Sequence, residues 1–437
     1  KQNFFSFSDI DSERKDRIMK FTSTEATPAP HVPPGVLRLT GAAKEDIPMY
    51  HIQTMNKISP VGLNRFPSEL YEVGDAVQDP QGILVRSAKL LDLEFNPSLL
   101  AIARAGVGVN NIPLDRCAAA GIPVFSTPGA NANAVKELVI CAMLMGSRDI
   151  PGAIRWVREQ AASGVDVSTV VEKGKSAFIG PELYKKTLGI IGLGAIGSIV
   201  ANTAISLGMD VYGYDPFLSV DTALRLDRHV HVVKDINDLY KRSDYITMHI
   251  HYTEKTAHMI DADAIAAMKR GVRVINLARG EIVDDEAMLT ALDTGMVAAY
   301  ITDFPNNRLL TAPHVIAMPH LGASTPESEQ NCAAMAVDTL RDYLESGNIR
   351  SSVNLPEMTM DRSGVQRLCV LHKNVPGMLA NITSLFGRDG VNVENLSNKS
   401  RGDYAYTMVD LGSKVGDNVI EDVRRTANVI RVRSLEW

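Results

Sequence analysis

The chain has 437 residues, a formal net charge of −6, and 45% apolar and 22% charged residues, values typical of a soluble globular protein. Its length allows two or three domains, and its acidic balance argues against nucleic acid or an anionic membrane surface as a partner. The four scattered cysteines lack the spacing of a metal site and favour a reducing compartment, so we expect a cytoplasmic protein without a metal centre.

The first 48 residues differ in character from the rest. A mixed-charge stretch, SDIDSERKDRIMK, precedes a Pro- and Thr-rich stretch, TSTEATPAPHVPPG. The acidic residues argue against a transit peptide. We interpret residues 1–48 as an N-terminal extension of unknown role.

The long middle part of the chain alternates between short apolar runs and longer helical patterns. The runs typical of buried strands are GILVRSA, LAIARAG, IPVFSTP, TLGIIGLG, DVYGYD, YITMHI, RVINLAR and VIAMPH. Strands that alternate with helices predict an α/β fold with parallel sheets and helical crossovers.

Residues 364–437 follow a different pattern. In order they give a strand-like VQRLCVLHKN, a helical VPGMLANITSLFGRDG, two strand-like runs, VNVENLSNKS and DYAYTMVDLG, a helical NVIEDVRRTAN and a final strand-like VIRVRSLEW. This order predicts a small ferredoxin-like βαββαβ domain.

A glycine-rich turn lies between a predicted strand and a predicted helix, as Gly192-x-Gly194-x-x-Gly197. Gly192 would permit a tight turn, Gly194 would let the backbone approach a pyrophosphate, and Gly197 would let helix and strand pack closely. The free N–H groups of the helix N-terminus would bind the phosphates of a dinucleotide. A glycine-rich turn without a ligand is the alternative.

Asp215 ends the strand that follows this helix, at the spacing where an acidic residue binds the adenosine ribose hydroxyls of a dinucleotide. The next three residues, Pro-Phe-Leu, offer no cation for a 2′-phosphate, so the sequence favours NAD over NADP. A turn or helix-cap role is the alternative for Asp215.

Hydride transfer to a nicotinamide also requires a proton to move, and a His is the usual group for this task. A substrate carboxylate is best held by the planar fork of an Arg. Arg279 and His320 each follow an apolar strand, where ligands of open α/β sheets bind. We therefore predict His320 as the acid/base and Arg279 as the residue that orients a carboxylate. His314 precedes its strand and is interpreted as a surface residue.

Several stretches together carry a family resemblance: LVRSAKL, IARAGVGVNNIPLDRCAAAGIPVFSTPGANANAVKELV, LGIIGLGAIG, INLARGEIVD and PHLGAST. From about residue 49 to its end, the chain resembles the D-2-hydroxyacid dehydrogenase family, and in particular its members with a C-terminal ACT domain. The resemblance implies two doubly wound, Rossmann-like domains with parallel sheets, one inserted in the other. The implied domains are a discontinuous substrate-binding domain (residues 49–129 and 323–355), an NAD-binding domain (130–322) and an ACT regulatory domain (364–437).

By position, the resemblance adds residues on both sides of the implied cleft. Those implied for the substrate are Arg86, Ser87, Gly106, Val107, Gly108 and Asn131. Those implied for NAD, besides the three glycines and Asp215, are Ala195, Ile196, Leu277, Ala278, Asp303, Gly322 and Ala323, together with Arg279 and His320. Without the resemblance, Arg86 would be interpreted as a solvated charge at a strand end.

The chain departs from the family at one position. A Glu that pairs with the acid/base His is replaced here by Asn307 or Arg308, depending on a one-residue gap. Asn307 could accept a hydrogen bond from the ring, but it lacks the charge that stabilises an imidazolium. We therefore expect both limbs of the pH–activity profile to lie at lower pH than in relatives with the Glu.

In the C-terminal domain, His372, Asn374 and Asn392 match positions that bind serine in some members of the family. The resemblance implies that serine or another amino acid binds where two copies of the domain meet. A purely structural dimerisation domain is the alternative.

The resemblance implies NAD-linked oxidation of 3-phospho-D-glycerate to 3-phosphohydroxypyruvate, at the start of serine biosynthesis. Another 2-hydroxy acid is the close alternative, with hydroxypyruvate, glyoxylate or 2-hydroxyglutarate as the partner in the reaction. A non-catalytic NAD-sensing protein of the corepressor type is the less favoured alternative. The expected partners are a small-molecule substrate and further copies of the chain in a homo-oligomer, with neither nucleic acid nor membrane.

Overall fold

The structure, a computed structural model, describes residues 49–437. The predicted N-terminal extension, residues 1–48, lies outside the described residues. Three β-sheets of five, seven and four strands follow one another along the described part of the chain.

The first sheet is wholly parallel and has the strand order β2-β1-β3-β4-β5. Its strands are β1 (Tyr50–Met55), β2 (Tyr71–Gly74), β3 (Gly82–Val85), β4 (Ala101–Arg104) and β5 (Val124–Phe125), with helices α1 (Pro60–Leu63) and α2 (Leu114–Ala119) between them. Every residue of β3 is buried, as expected for a strand covered on both faces. The reversal of strand order between β1 and β3 is that of a doubly wound sheet.

The second sheet is also parallel, with the order β12-β11-β10-β9-β6-β7-β8. Its strands are β6 (Thr187–Ile191), β7 (Asp210–Tyr214), β8 (Val230–Val233), β9 (Tyr245–Met248), β10 (Val272–Asn276), β11 (Val297–Thr302) and β12 (Val315–Ala317). The direction of winding reverses between β6 and β9, which opens a crevice at the carboxyl ends of these strands.

Eight helices surround or lead into the second sheet in the described chain. They are α3 (Ala132–Arg148), α4 (Ile150–Ala162), α5 (Val167–Gly174), α6 (Ala195–Ser206), α7 (Val220–Ala223), α8 (Ile236–Arg242), α9 (Ala262–Ala266) and α10 (Asp285–Asp293). Short 3₁₀ turns occur at Lys175–Phe178, Gly280–Ile282 and Leu309–Thr311. Helix α3 buries Val135, Val139 and Met143 in the same core as α6 and the central strands. Helix α3 therefore already belongs to the unit built around the second sheet.

After the second sheet, helix α11 (Pro326–Ser346) returns to the first. It buries Val337, Leu340 and Leu344 in one core with Ile52 and Leu84 of β1 and β3. The chain then passes beside β5, where Val353 N donates to Val124 O at 2.9 Å. The second sheet and its helices thus lie between two segments of the chain that pack together around the first sheet.

The C-terminal sheet is antiparallel, with the order β14-β15-β13-β16. Its elements are β13 (Gln366–Lys373), α12 (Met378–Arg388), β14 (Val393–Arg401), β15 (Tyr404–Leu411), α13 (Asp417–Arg425) and β16 (Val429–Glu436). The predicted βαββαβ order and the predicted α/β fold class are confirmed. None of the helices within residues 49–437 is long and apolar enough to cross a membrane.

Candidate active site

The glycine-rich turn joins β6 to α6, and its three glycines have different surroundings. Gly192 has φ of +89°, and a Cβ there would lie 2.6 Å from the His249 carbonyl oxygen. A Cβ on Gly197 would lie 1.9 Å from the Gly192 carbonyl oxygen, whereas one on Gly194 would meet no atom within 4 Å. Two glycines therefore serve close packing, and the third leaves open space in front of the N-terminus of α6, which begins at Ala195 and Ile196.

Asp215 follows β7, and its side chain is hydrogen-bonded to the glycine-rich turn. One carboxylate oxygen accepts a hydrogen bond from Leu193 N at 2.9 Å, and the other accepts one from Phe217 N at 2.9 Å. Each oxygen keeps a further lone pair. The side chain thus holds the turn and still has acceptor capacity for two ribose hydroxyls.

Arg279 stands at the carboxyl end of β10, on a turn fixed by Asn276. The Asn276 amide donates to the Arg279 carbonyl oxygen at 2.8 Å, and its Oδ1 accepts from Ala278 N at 3.1 Å. Leu277 and Ala278, between them, are buried. This clamp by a fully buried Asn is a feature that sequence reasoning missed.

The Arg279 side chain reaches the loop that follows β4 of the first sheet. A Cβ on Gly108 would lie 3.3 Å from Arg279 Nη2, and one on Gly106 would lie 2.6 Å from Arg104 Nη1. Gly108 therefore faces Arg279 across the junction of the two sheet units, and Gly106, in the same loop as Val107, lies against Arg104. The structure brings together the predicted carboxylate-binding Arg and the predicted substrate loop in one cleft.

Phe304 supports both predicted chemical groups. The Arg279 guanidinium carbon lies 5.7 Å from the centre of the Phe304 ring, and the His320 ring lies 4.6 Å from it, centre to centre. Sequence reasoning did not select Phe304. Its position next to Asp303, after the apolar run of β11 that the sequence analysis did not select as a strand, was the available signal.

His320 is exposed and has φ of +34°, in the left-handed region that non-glycine residues seldom adopt. Its N–H donates to the Asp303 carbonyl oxygen at 2.9 Å, which anchors the turn after β12 to the end of β11. The two residues after Leu321, Gly322 and Ala323, continue this turn. Unusual backbone geometry of this kind clusters at functional sites.

Asp303 is 1% exposed, and its two carboxylate oxygens have different surroundings. Oδ2 accepts a hydrogen bond from Gly322 N at 3.1 Å, whereas Oδ1 is buried without a partner among the described residues. Burial raises the pKa of this carboxyl above its ordinary value, and the bond from Gly322 opposes that shift. An unpartnered buried acceptor of this kind is suited to a ligand's donor.

Asn131 begins helix α3 without capping it by its side chain. Its Oδ1 is buried and has no partner in the part of the chain that the structure describes, and the same holds for Thr127 Oγ1. Both belong to the segment that crosses from the first sheet unit to the second. Thr127 was not selected from the sequence.

Arg86 and Ser87 follow β3. An ion pair joins Arg86 Nη2 to Glu329 Oε1 of α11 at 2.5 Å, and the Ser87 N–H donates to the Asn56 side chain at 3.0 Å. Arg104 lies beside them and donates from Nε to the Arg86 carbonyl oxygen at 3.0 Å. Burial is the main cause that lowers the pKa of Arg104, and the charges of Arg279 and Arg86 add to it.

Arg104 was not among the predicted site residues. No carboxylate among residues 49–437 bonds to its guanidinium, although the residue is partly buried. An Arg at the end of a buried strand, next to a Gly-x-Gly loop, was the signal in the sequence. Arg86, Arg104 and Arg279 together give the cleft a locally positive character in a chain whose net charge is −6.

Asn307, the residue considered as a replacement for the family's Glu, is exposed. Within residues 49–437 no hydrogen bond joins its side chain to His320. Arg308 forms an ion pair with Glu286 of α10, so this side chain is engaged elsewhere. Of the two candidates, Asn307 is the one not held by another residue in the described chain, and its role stays a prediction.

The three predicted effector residues lie in two places within one chain, with His372 and Asn374 at the end of β13 and Asn392 at the opposite end of the sheet. His372 is 2% exposed, and its two ring nitrogens contact Lys373 O at 2.8 Å and Thr407 Oγ1 at 2.9 Å. The Asn374 amide donates to Gly402 O at 3.1 Å, near the end of β14, whereas Asn392 immediately precedes the start of that strand. An effector site that used both asparagines would need more than one chain.

Comparisons with known proteins show the family of the chain. Residues 140–322 match the model of the D-isomer specific 2-hydroxyacid dehydrogenase NAD-binding domain. A D-3-phosphoglycerate dehydrogenase of Escherichia coli K12 is 31% identical over 380 residues, which are 83% of this chain and 89% of that protein. The chain belongs to the D-2-hydroxyacid dehydrogenase family.

Longer relatives in this family are also similar. A D-3-phosphoglycerate dehydrogenase of Synechocystis is 36% identical over 326 residues, 72% of this chain. The chain spans 56% of the length of that relative, and 55% and 60% of two others, from Methanocaldococcus jannaschii and Bacillus subtilis.

Solved structures show the same family fold. The NAD⁺-bound 3-phosphoglycerate dehydrogenase of Entamoeba histolytica is 26% identical, with a TM-score of 0.55 over 70% of this chain and 99% of that one. The holo form of Rhodotorula graminis D-mandelate dehydrogenase, 21% identical, has a TM-score of 0.61 over 72% of this chain and 100% of that one, and it supports the fold alone.

Proposed function

We propose that the protein is an NAD-dependent dehydrogenase that oxidises 3-phospho-D-glycerate to 3-phosphohydroxypyruvate. The observation that carries this proposal is the placement of Arg279 and His320 on the same ring, that of Phe304, opposite the Gly106–Gly108 loop. A guanidinium and an imidazole in this relationship can bind the carboxylate of a 2-hydroxy acid and move the proton of its hydroxyl.

NAD fits the crevice at two distant points. The open side of Gly194 and the N-terminus of α6 would take the pyrophosphate, with Asp215 on the adenosine ribose. At the other end, the unpartnered Oδ1 of Asp303 would accept a hydrogen bond from the nicotinamide amide. When bound, the nicotinamide supplies the acceptor for the substrate's hydride.

The chain's own residues perform the remaining tasks. Arg279 holds the substrate carboxylate through two parallel N–H···O bonds, which fixes the carbon that bears the hydroxyl. A neutral His320 takes the hydroxyl proton during oxidation, and the imidazolium returns it during reduction. The loop from Gly106 to Gly108 covers the substrate from the first sheet unit and helps to exclude water.

The phosphate of 3-phosphoglycerate would bind where Arg86 and Arg104 lie together. The two residues are joined by the bond from Arg104 Nε to the Arg86 carbonyl oxygen, and Arg104 has guanidinium donors that are not used by a carboxylate of the described chain. Relatives named D-3-phosphoglycerate dehydrogenase, at 31–36% identity, support this substrate. The ion pair of Arg86 with Glu329 is the observation that favours an unphosphorylated 2-hydroxy acid instead.

A panel of 2-oxo acids tests the proposal. NADH consumption would be followed with phosphohydroxypyruvate, hydroxypyruvate, glyoxylate and 2-oxoglutarate, for the parent and for Arg279→Lys and His320→Gln. We expect phosphohydroxypyruvate to give the highest kcat/KM and each variant to lose about 100-fold or more. Preference for an unphosphorylated acid would support the alternative substrate, and no consumption of NADH would contradict an enzymatic role.

For the C-terminal domain we propose a regulatory role in a homo-oligomer, with serine or a similar amino acid bound where two copies meet. Strand β14 is an edge strand of nine residues with exposed side chains along most of its length. Such an edge offers backbone groups to a second copy. Equilibrium dialysis with serine, for the parent and for Asn374→Ala, tests the effector. Absence of binding by the parent would leave a structural dimerisation domain.

A further inference from the structure

Three guanidinium groups converge on the substrate side of the cleft. Arg104 lies close enough to both Arg86 and Arg279 for their charges to lower its pKa, after the larger effect of burial. Among residues 49–437, one carboxylate bonds to these three arginines. It is that of Glu329, whose Oε1 lies 2.5 Å from Arg86 Nη2. The carboxylate of Glu329 therefore reduces the positive charge that the cleft presents to an anionic substrate.

The position of Glu329 is set by a rigid helix start close to the acid/base residue. Helix α11 begins with Thr325 as its N-cap, whose hydroxyl accepts from Ser328 N at 3.1 Å, and with Pro326 in its first turn. Glu329 lies in this turn, on the segment that continues from His320. The same turn holds a second acid, Glu327, which makes no ion pair in the described chain. Only one of the two acids thus reaches the substrate arginines.

The ion pair is placed where a substrate could exchange for it. The side chains of Arg86 and Glu329 are 45% and 44% exposed, so water stabilises a released carboxylate. Exposed ion pairs contribute little to stability, which keeps the cost of opening this one small. A phosphate that approaches Arg86 would nevertheless compete with a carboxylate already bound there, and would be repelled by it.

We propose that Glu329 is a specificity-determining residue, an internal counter-ion on Arg86 that a substrate phosphate must displace, so that it weakens binding of phosphorylated substrates relative to their unphosphorylated analogues. This inference rests on the proposed function, because it assigns a role to the substrate side of the same site. It concerns the selectivity between two substrates, and Arg279 and His320 keep their tasks unchanged.

The decisive variant is Glu329→Gln, with Glu327→Gln as the matched control. Both remove one negative charge from the first turn of α11, and so change the helix N-terminus in the same way, but only the first releases Arg86. We expect Glu329→Gln to lower KM for phosphohydroxypyruvate by about five- to tenfold and to leave KM for hydroxypyruvate within about twofold. We expect kcat to change by less than about twofold for either substrate, and Glu327→Gln to match the parent.

Two results would overturn the inference. Equal KM values for the parent and Glu329→Gln with both substrates would show that the carboxylate does not compete with phosphate. A rise in KM for both substrates would show that Glu329 merely holds Arg86 in position, since loss of positioning does not discriminate between them.

Calorimetry with inorganic phosphate separates this inference from the proposed function. If the parent reduces none of the 2-oxo acids, the proposed function fails, and phosphate binding to the intact chain still tests the counter-ion. Tighter phosphate binding by Glu329→Gln than by the parent and Glu327→Gln supports the inference, and equal binding by all three contradicts it.

Discussion

Arg279 and His320 lie against one aromatic ring although 40 positions separate them in the sequence. The relationship follows from strand order. Arg279 follows β10, Phe304 follows β11 and His320 follows β12, and these three strands are neighbours in the sheet. Because parallel strands end at the same edge of a sheet, the residues that follow three neighbouring strands come close together, and the Phe304 ring contacts both Arg279 and His320.

Replacement of Phe304 by Ala should therefore reduce turnover more than it reduces NAD binding. Both Arg279 and His320 lose a contact surface, and small displacements of reacting groups are costly. We expect kcat/KM to fall by about 10- to 100-fold. Steady-state kinetics with phosphohydroxypyruvate and NADH measures this. Phe304→Tyr, which keeps the ring, should retain most of the activity, and equal losses in both variants would contradict a supporting role for the ring.

Asp303→Asn should have opposite effects on NAD affinity and on the stability of the free protein. The amide oxygen can still accept from Gly322 N, but the NH₂ group then replaces the acceptor Oδ1 that faces the proposed nicotinamide site. Loss of one hydrogen bond, with a donor opposite a donor, should weaken NAD binding by about tenfold. Fluorescence titration with NADH measures the affinity.

The stability effect has a definite dependence on pH. Burial raises the pKa of Asp303 above that of the unfolded chain, so the ionised carboxylate destabilises the folded protein at pH above the raised pKa. Below the unfolded pKa both states are protonated and this penalty is absent. Asp303→Asn should therefore raise Tm at pH 8 relative to the parent, and this advantage should shrink as the pH is lowered. An advantage that grew toward acid pH would contradict the burial argument.

The glycine-rich turn and the acidic residue after β7 could be located from the sequence because their constraints are local, and their contacts with NAD stay predictions. Gly192, Gly194, Gly197 and Asp215 lie within one β-α-β segment, and their spacing alone determines which of them meet. The strand-end positions of Arg279 and His320 also follow from local patterns. Arg279 and His320 contact the same ring because strands β12, β11 and β10 are neighbours in the sheet. This strand order cannot be predicted from the pattern of each strand alone.

The features that were missed depend on contacts between distant segments. From the sequence, Arg104 is indistinguishable from a solvated charge at a strand end. Its place in the candidate site follows from its proximity to Arg86 and Arg279, which follow other strands. Glu329 is one of two acids in the first turn of α11, and only the return of this helix to the first sheet unit brings it to Arg86. No spacing rule connects these residues.

Asn307→Glu tests the departure from the family pattern. Asn307 is exposed and is not bonded to His320 in the described chain, and a carboxylate at this position would favour the imidazolium. We expect both limbs of the pH–activity profile to move to higher pH. The profile would be measured separately for the reduction and for the oxidation. Asn307→Gln, which extends the side chain without charge, is the control. An unmoved profile in Asn307→Glu would show that this position does not face the acid/base residue.

The buried pair of Arg367 and Asp410 should control the stability of the C-terminal domain. Both side chains are fully buried, and two bonds join them, Nε to Oδ1 at 2.6 Å and Nη2 to Oδ2 at 2.7 Å. Arg367 also donates to the carbonyl oxygens of Ser346, Met360 and Asp361, so one guanidinium ties the end of α11 and the following segment to β13. Truncation of one partner would leave the other charge buried and unpaired.

Arg367→Met should therefore lower the free energy of unfolding by about 3–5 kcal/mol. The second substitution Asp410→Asn, made in the same chain, should recover part of this loss, because it removes the unpaired charge while the amide can still accept from Ser363 N, which donates to Asp410 at 2.9 Å. Urea unfolding of the parent, both single variants and the double variant gives the coupling between the two positions. If the double variant were as unstable as the sum of the two single losses predicts, the charges would not be coupled, and the stabilising role of this pair would be rejected.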